Sequence, residues 1–471
     1  MQQHIRDVLS LQQILQNQAK TATGPHCLAG ATTASNTTRN RAYKKSCAHL
    51  DISHLKRIVE VDVKRQTAFV EPRISMYELS CSLLKYNLMP KVVPEFKGIT
   101  VGGAINGCAG ESNSHLDGLF HDTCLEYEVL LSTGERVVCS RDNSSDLFHA
   151  LHGSYGSLGL VVGAKIALVP AMPFMRLCYH RFDSIPAALA YLQSRMSACH
   201  SIEGIIYGPD DACIVEAKPV VAPLKSMYHV LQRSSQWFYH HARGCLNGHE
   251  ETVPLLDYIF RHDKGAFWMG AYVLRPKILY ALFMEGVLGW KDSPISLQSC
   301  AKLKDPGFLT RFVSAHVMQS QPLYRLLHLV EDWVKERFVI QDFTLPQQGA
   351  YALLDHLVSS NPLFPLWVCP VKRAPQEQLF CPAALDCTDD ICFNVGVYGM
   401  PHQKTCMTSL LCDLEQKVQE FGGRKWLYTN SEYSRLKFWD IYPEQAYQQV
   451  REKYSAEHFM RIDDKVLKAI V

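Results

Sequence analysis

The run Gly98-Ile-Thr-Val-Gly-Gly-Ala-Ile-Asn-Gly-Cys-Ala-Gly110-Glu-Ser-Asn-Ser-His115 decides how this chain is read. Five glycines (Gly98, Gly102, Gly103, Gly107 and Gly110) fall within thirteen residues, between two apolar segments. A backbone with so few side chains can turn sharply and lie directly against a ligand. Successive N–H groups in such a stretch can also converge on an anion such as a diphosphate. A glycine-rich structural turn is the competing reading, and a bare glycine cluster does not choose between them.

The flanking sequence narrows the choice. Residues 124–131 (CLEYEVLL) read as a strand, Ser132-Thr-Gly134 as a turn and residues 135–139 (ERVVC) as the returning strand, which makes a β-hairpin. Asp142 or Ser144 caps a short helix through Leu151. Gly153-Ser-Tyr-Gly-Ser-Leu-Gly159 then leads into residues 160–169, where Leu160, Val162, Ala164, Ile166 and Leu168 alternate on one face. Upstream, residues 55–63 and 67–70 form a hairpin around Lys64-Arg-Gln66. Ser75-Met-Tyr-Glu78 is a capping box, opening a helix with Met76, Leu79, Leu83 and Leu84 inward. Residues 5–18 set Ile5, Val8, Leu9, Leu11 and Leu15 at near-helical spacing. Strand, strand, helix, glycine loop, hairpin, helix and strand together make an α+β nucleotide-binding unit of ordinary domain size. Gly153-x-x-Gly156-x-x-Gly159 is not a Rossmann fingerprint, because it follows a helix and opens a strand. A nicotinamide cofactor would therefore be a transient reductant without its own Rossmann domain.

Composition excludes other classes. The 48 basic and 46 acidic residues leave a formal net charge of +2, so no global field attracts nucleic acid. Seventeen cysteines are scattered without a CxxC pair, which predicts reduced thiols, a cytoplasmic chain and no zinc ribbon. Cys381, Cys387 and Cys392 are the densest group, but their spacing fits no common zinc pattern and no metal is expected there. The first residues lack a basic stretch followed by an apolar one, so no secretory signal is expected. The most apolar long run is interrupted by Lys165 and Pro170 and is too broken to span a bilayer.

The wording of the central stretch resembles the flavin-binding domain of the vanillyl-alcohol-oxidase (PCMH) type of FAD enzymes, and within it the Delta(24)-sterol reductase family. The residues that carry the likeness begin with Pro94-Glu95, Thr100-Val-Gly-Gly103, Glu111-Ser112, Ser114-His115 and Gly118-Leu-Phe120. They continue with Glu128-Val-Leu130, Gly134, Ser145-Asp-Leu-Phe148 and Gly156-Ser-Leu-Gly159. The likeness recurs downstream in Trp367-Val-Cys-Pro370, Tyr398-Gly399, Trp426-Leu-Tyr428 and Phe438-Trp439, so it covers most of the chain.

The resemblance implies an FAD-binding domain over residues 1–173, a mixed α/β substrate domain over 174–424, and a closing segment, 425–471, that returns toward the flavin. Its flavin contacts would be Thr100, Val101, Gly102, Gly103, Ala104, Ile105, Asn106, Gly107, Cys108, Ala109, Gly110, Glu111 and Ser112, supported by Gly156 and Gly159. The polar segment 26–41 falls where this fold places its first phosphate-contacting loop, with Arg39 or Arg41 as countercharge. It lacks the glycine-rich, histidine-bearing pattern that links flavin covalently, so FAD is expected to be non-covalent, with His26 a weak reserve. The pairs at Tyr239-His-His241 and Arg261-His262 are tempting as catalytic groups, but without a metal spacing such residues are more often on the surface or hydrogen-bonded in the core.

The activity the resemblance implies is reduction of an unactivated side-chain double bond of a sterol, with NADPH as electron source. An isolated alkene has no carbonyl to hold negative charge, so protonation must lead or accompany delivery of the electron pair. Glu111 is the first candidate acid, on the expectation that burial raises its pKa, with His115 and Tyr428 in reserve. A sterol must be collected from a bilayer, so peripheral membrane contact is expected. An FAD-linked oxidase of a polar alcohol or sugar, and an inactive flavin-fold protein that binds sterol, remain as alternatives.

Overall fold

The computed structural model describes residues 1–21, 25–28, 38–39, 42–289, 303–401 and 405–468. It has an α+β fold with two large antiparallel sheets. The first sheet orders its strands Ile58–Asp62, Thr67–Val70, Leu160–Pro170, Cys124–Leu130 and Arg136–Ser140, and the short strand Leu88–Pro90 pairs with the far end of Leu160–Pro170. Leu160–Pro170 is flanked by Thr67–Val70 and Cys124–Leu130. Val161 is buried as well as Val162, so the first half of this strand is covered on both faces rather than alternating.

Local signals explain the helices. Ser75 and Glu78 form the capping box in both directions, and Met76, Leu79 and Leu83 are buried. Helix Gln2–Thr21 buries His4, Val8, Leu11 and Leu15, a narrower stripe than the sequence suggests, with Ile5 and Leu9 in solvent. The extra inward position, His4, faces Glu71 at 3.0 Å and Glu128 at 3.3 Å. Burial opposes its charge, but the two carboxylates outweigh burial and raise its pKa to about 9.

The second sheet has eight strands, in the order His249–Pro254, Phe174–Phe182, Asp211–Val220, Ser201–Gly208, Leu366–Lys372, Ile391–Gly399, Val339–Leu345 and Arg424–Lys425. Side chains two apart share a face. On one face Ile202, Ile206, Phe343, Val368, Val395 and Val397 join a core with helices Ile185–Arg195, Gln347–Ser360 and Met407–Glu420. Their alternates Asp342, Trp367, Cys369, Asn394 and Tyr398 line a cavity on the other face.

Arg261 ties the glycine segment to this second sheet. Its buried guanidinium pairs with Glu111 at 2.5 Å and with Glu203 of strand Ser201–Gly208 at 2.7 Å. It also donates to Ser112 Oγ and to the Tyr258 carbonyl. Glu203 accepts further bonds from His262 and from the Trp367 indole. Removing one member of such a set strands buried charge. Arg261→Met should therefore cost about 3–5 kcal/mol, read as a lower urea midpoint, and a variant as stable as the parent would refute the tie.

Candidate active site

Both sheets contribute to a cavity of about 830 Å³, a volume suited to a sizeable organic ligand. Its floor is the glycine segment, which is a helix rather than a loop. Thr100 caps helix Val101–Gly107 by accepting from the Gly103 N–H. Helical spacing then puts Gly102, Gly103, Asn106 and Gly107 on the cavity side. Val101, Ala104 and Ile105 go into the core, so these three expected flavin contacts are packing residues. Thr100, Ala109, Gly110, Glu111, Gly156 and Gly159 also line the cavity, whereas Cys108 and Ser112 do not.

The expected nest of backbone donors is not what the helix offers. The N–H groups of Val101 and Gly102 bond to the carbonyls of Ile74 and Pro72, and those of Gly103 and Ala104 bond to Thr100. Gly102, Gly110 and Gly159 lack side chains because Pro72, Leu119 and Val129 occupy that space. Gly107 differs: a Cβ there would meet nothing within 4 Å, so bare backbone faces the cavity.

Cationic groups line part of the wall. Lys465 donates to the carbonyls of Tyr155 and Gly156 at 3.0 and 2.9 Å. Burial, reinforced by the charge of Arg39, brings its amine down to about 7. Arg39 lies over the Tyr155 ring at 4.2 Å, and its Nε and Nη1 are buried without a hydrogen-bond partner. Two cations held together with spare donors are an environment that an anion would relieve. Arg41 and most of the segment 26–41 lie outside the described residues. His26 is described; it is buried away from the cavity lining, with its chain held by His458.

Elsewhere the wall is built from acids, phenols and aromatic rings. Asp342 sits opposite Gly396 in the register of their strands. The missing side chain of Gly396 lets Tyr398 fold back across the sheet, with its hydroxyl 2.5 Å from where a Cβ would be. Tyr398 thus donates to both Asp342 oxygens, at 2.7 and 2.8 Å, while Asn394 and Tyr428 donate to the same carboxylate. Burial raises Asp342 to about 6 even against these bonds. Glu95 is half-buried on the cavity wall. Burial, and then the negative charge of Glu111, push its carboxyl well above the usual range.

Phe267 completes the wall, packed 5.2 Å from both Trp367 and Tyr398 and 5.7 Å from Phe96. Its backbone φ of 59° follows Ala266 at 44°, a left-handed pair that bulky residues rarely adopt and that costs about 1–3 kcal/mol per residue. The neighbouring His262 ring stacks on Phe267 at 4.2 Å and holds it in place.

The three acids expected from sequence fare differently. Glu111 lines the cavity and is ion-paired to Arg261. His115 is buried outside the cavity lining, against the Cys199 carbonyl at 3.1 Å. Tyr428 is in the cavity, on Asp342. Among the tempting pairs, His241 bonds to Glu251, and Arg261 with His262 serves Glu203, all off the cavity wall.

Residues 21–140 match the FAD binding domain family. The Delta(24)-sterol reductase of Homo sapiens is 28% identical over 440 residues, covering 91% of this chain and 79% of the human protein. That of Arabidopsis thaliana is also 28% identical, over 469 residues, covering 89% and 76%. The chain is thus similar to the Delta(24)-sterol reductases over most of its length, and its first part matches an FAD binding domain. Cytokinin dehydrogenase 1 of Arabidopsis thaliana shares 30% identity over 128 residues, 26% of this chain.

The residues present fit FAD. The open backbone at Gly107 admits a flat ligand, and Arg39 with Lys465 supplies charge for a diphosphate. Sequence reading missed Glu95, Asp342 and Lys465. Asp342 carried a signal, because alternation in 366–372 and 391–399 places Trp367, Asn394 and Tyr398 on its face. Lys465 had none, lying far along the chain from the glycines.

An anion beside Lys465 favours its charged form, so binding above pH of about 7 takes up a proton. FAD affinity of the apoprotein should therefore fall as pH rises through that value. Lys465→Met should weaken FAD about 10–100-fold and flatten the pH slope, measured by flavin fluorescence quenching. Unchanged affinity in the variant would remove Lys465 from the cofactor site.

Proposed function

We propose that this protein reduces an isolated side-chain carbon–carbon double bond of a sterol, with FAD held non-covalently along the glycine helix and NADPH as the electron source. In this reading residues 1–173 hold the flavin, 174–424 supply the substrate side, and 425–471 return Tyr428 and Lys465 to the cavity. The observation that carries it is Glu95: a carboxyl that burial and then the charge of Glu111 push above its usual range, on the same cavity wall as Phe96, Phe267, Trp367 and Tyr398. Reduced FAD, when bound, would supply the hydride, hydrogen with its electron pair, that the more substituted alkene carbon takes up.

The chain's own residues supply the rest. Glu95 delivers a proton to the less substituted carbon, which leaves positive charge developing on its neighbour. The aromatic faces stabilise that charge while excluding water. Asp342, with its three donors, adds negative charge nearby without being consumed. Glu95 replaces Glu111 as the acid because Glu111 faces a guanidinium, whereas Glu95 faces other carboxylates. An oxidase of polar alcohols would need a base and a polar wall, and the aromatic lining suits an apolar molecule better.

The helix Phe308–Ser314 supports collection of that molecule from a lipid surface. It exposes Phe308, Leu309, Phe312 and Val313, and precedes Gln319, Ser320 and Gln321, which line the cavity. No helix among the described residues is long and apolar enough to cross a membrane, so contact by this face would be peripheral.

Reaction in deuterated water with unlabelled NADPH and a side-chain-unsaturated sterol should place deuterium on the less substituted carbon alone. Activity should fall as pH rises through the raised pKa of Glu95, since the acid is then lost. Glu95→Gln should retain FAD, lower kcat by about 100–10,000-fold and abolish that limb of the profile. Deuterium at the tertiary carbon alone, or parental turnover by the variant, would contradict this mechanism.

A further inference from the structure

We propose that Cys108, His121 and Cys381 bind a thiophilic closed-shell metal ion, zinc or copper(I), beside the flavin cavity. The three residues come from separate parts of the chain. Cys108 is the left-handed cap of helix Val101–Gly107, with φ of 56°. His121 lies in the turn Phe120–Thr123, and Cys381 in the connection between strands Leu366–Lys372 and Ile391–Gly399. All three are buried, and one donor atom from each lies within 4.8 Å of the others. Donors around one such ion stand roughly 3.5–4.6 Å apart, from metal–sulfur bonds of about 2.3 Å and metal–nitrogen bonds of about 2.0 Å. Small side-chain rotations close the difference.

The surroundings fix the tautomer that a ligand histidine needs. Asp122 accepts from the Leu119 N–H and from Gln378 Nε2, at 2.8 and 2.7 Å. The Gln378 amide oxygen must then face His121, and it accepts from His121 Nε2 at 2.8 Å. Nε2 therefore carries a proton, and Nδ1, which is buried without a hydrogen-bond partner of good geometry, is the ring atom left to face the two sulfurs. A carboxylate–amide–imidazole relay behind a free lone pair is how metal-binding histidines are oriented. The thiol of Cys108 is seated with equal care: a Cβ on Gly153 would come within 3.1 Å of its sulfur.

Two thiolates and an imidazole select soft or borderline ions over magnesium or calcium, and binding releases the protons that the three groups hold. The grouping differs from the one that spacing suggests, since Cys387 and Cys392 pair with each other, sulfur to sulfur at 4.0 Å, next to no described histidine ligand set. Because Gly107 and Ala109 flank Cys108 and line the cavity, the ion would pin the flavin-facing helix to the 373–390 connection.

The test is elemental analysis of the full-length protein purified without chelator from zinc-supplemented and from copper-supplemented cultures, repeated on Cys108→Ser/Cys381→Ser and on Cys387→Ser. About one ion per chain is expected in the parent and in Cys387→Ser, falling at least tenfold in the double variant, and the better-retained metal distinguishes zinc from copper(I). Cobalt(II) added to the metal-stripped parent should give a thiolate-to-metal absorption band that the double variant lacks. A parent with less than about a tenth of an ion per chain and no rise in Tm on adding zinc or anaerobic copper(I) would overturn the proposal. So would equal metal content in the double variant, or a parent mass two hydrogens light, which would mean that the two cysteines form a disulfide instead.

Discussion

The Arg261 guanidinium is shut away from water between two carboxylates, and the placement of the cavity depends on that arrangement. Glu203 is fixed in the eight-stranded sheet, while Glu111 follows the glycine helix, so the shared cation sets how that helix meets the sheet. A buried guanidinium is tolerated only when its donors are satisfied, and here Ser112 and the Tyr258 carbonyl take what the carboxylates leave. The same set orients the aromatic wall. Glu203 holds His262 and Trp367, and both pack on the strained Phe267.

The cavity that results is chemically divided. Among the described residues no carboxylate bonds to Arg39 or Lys465, which sit together, while Glu95 and Asp342 gather on a wall of phenols and rings. Each group disfavours its own charged state until a ligand of opposite character arrives. In the proposed reading a diphosphate answers the first group, and an apolar molecule that gains positive charge in its transition state answers the second. The raised Glu95 and the lowered Lys465 are thus two expressions of one property, a dry interior that stores polarity for a bound reactant.

Much of the flavin side was legible because local rules and tertiary demands agree there. The Ser75 capping box, the hairpin before and after Gly134 and the apolar strand beginning at Leu160 are short-range signals, and each element forms, though the first half of that strand is covered on both faces instead of alternating. The glycine run was misread in its form. Glycine is a poor helix former, yet the Thr100 cap and the close approach of Pro72 impose a helix, and its first donors are spent inside the protein. Glu111 does not stand free in the cavity: an arginine 150 residues downstream pairs with it, and no pattern in one sequence announces such a pairing. Lys465 was invisible for the same reason.

The central claim is that the cavity couples bound flavin to an unactivated alkene. The most direct measurement reduces the FAD-loaded protein with one equivalent of NADPH under strict exclusion of oxygen, and then adds a side-chain-unsaturated sterol while the flavin absorbance is followed. The account predicts return of the oxidised flavin spectrum together with one equivalent of saturated sterol. Flavin that stays reduced until oxygen is admitted, with the sterol unchanged, would contradict it.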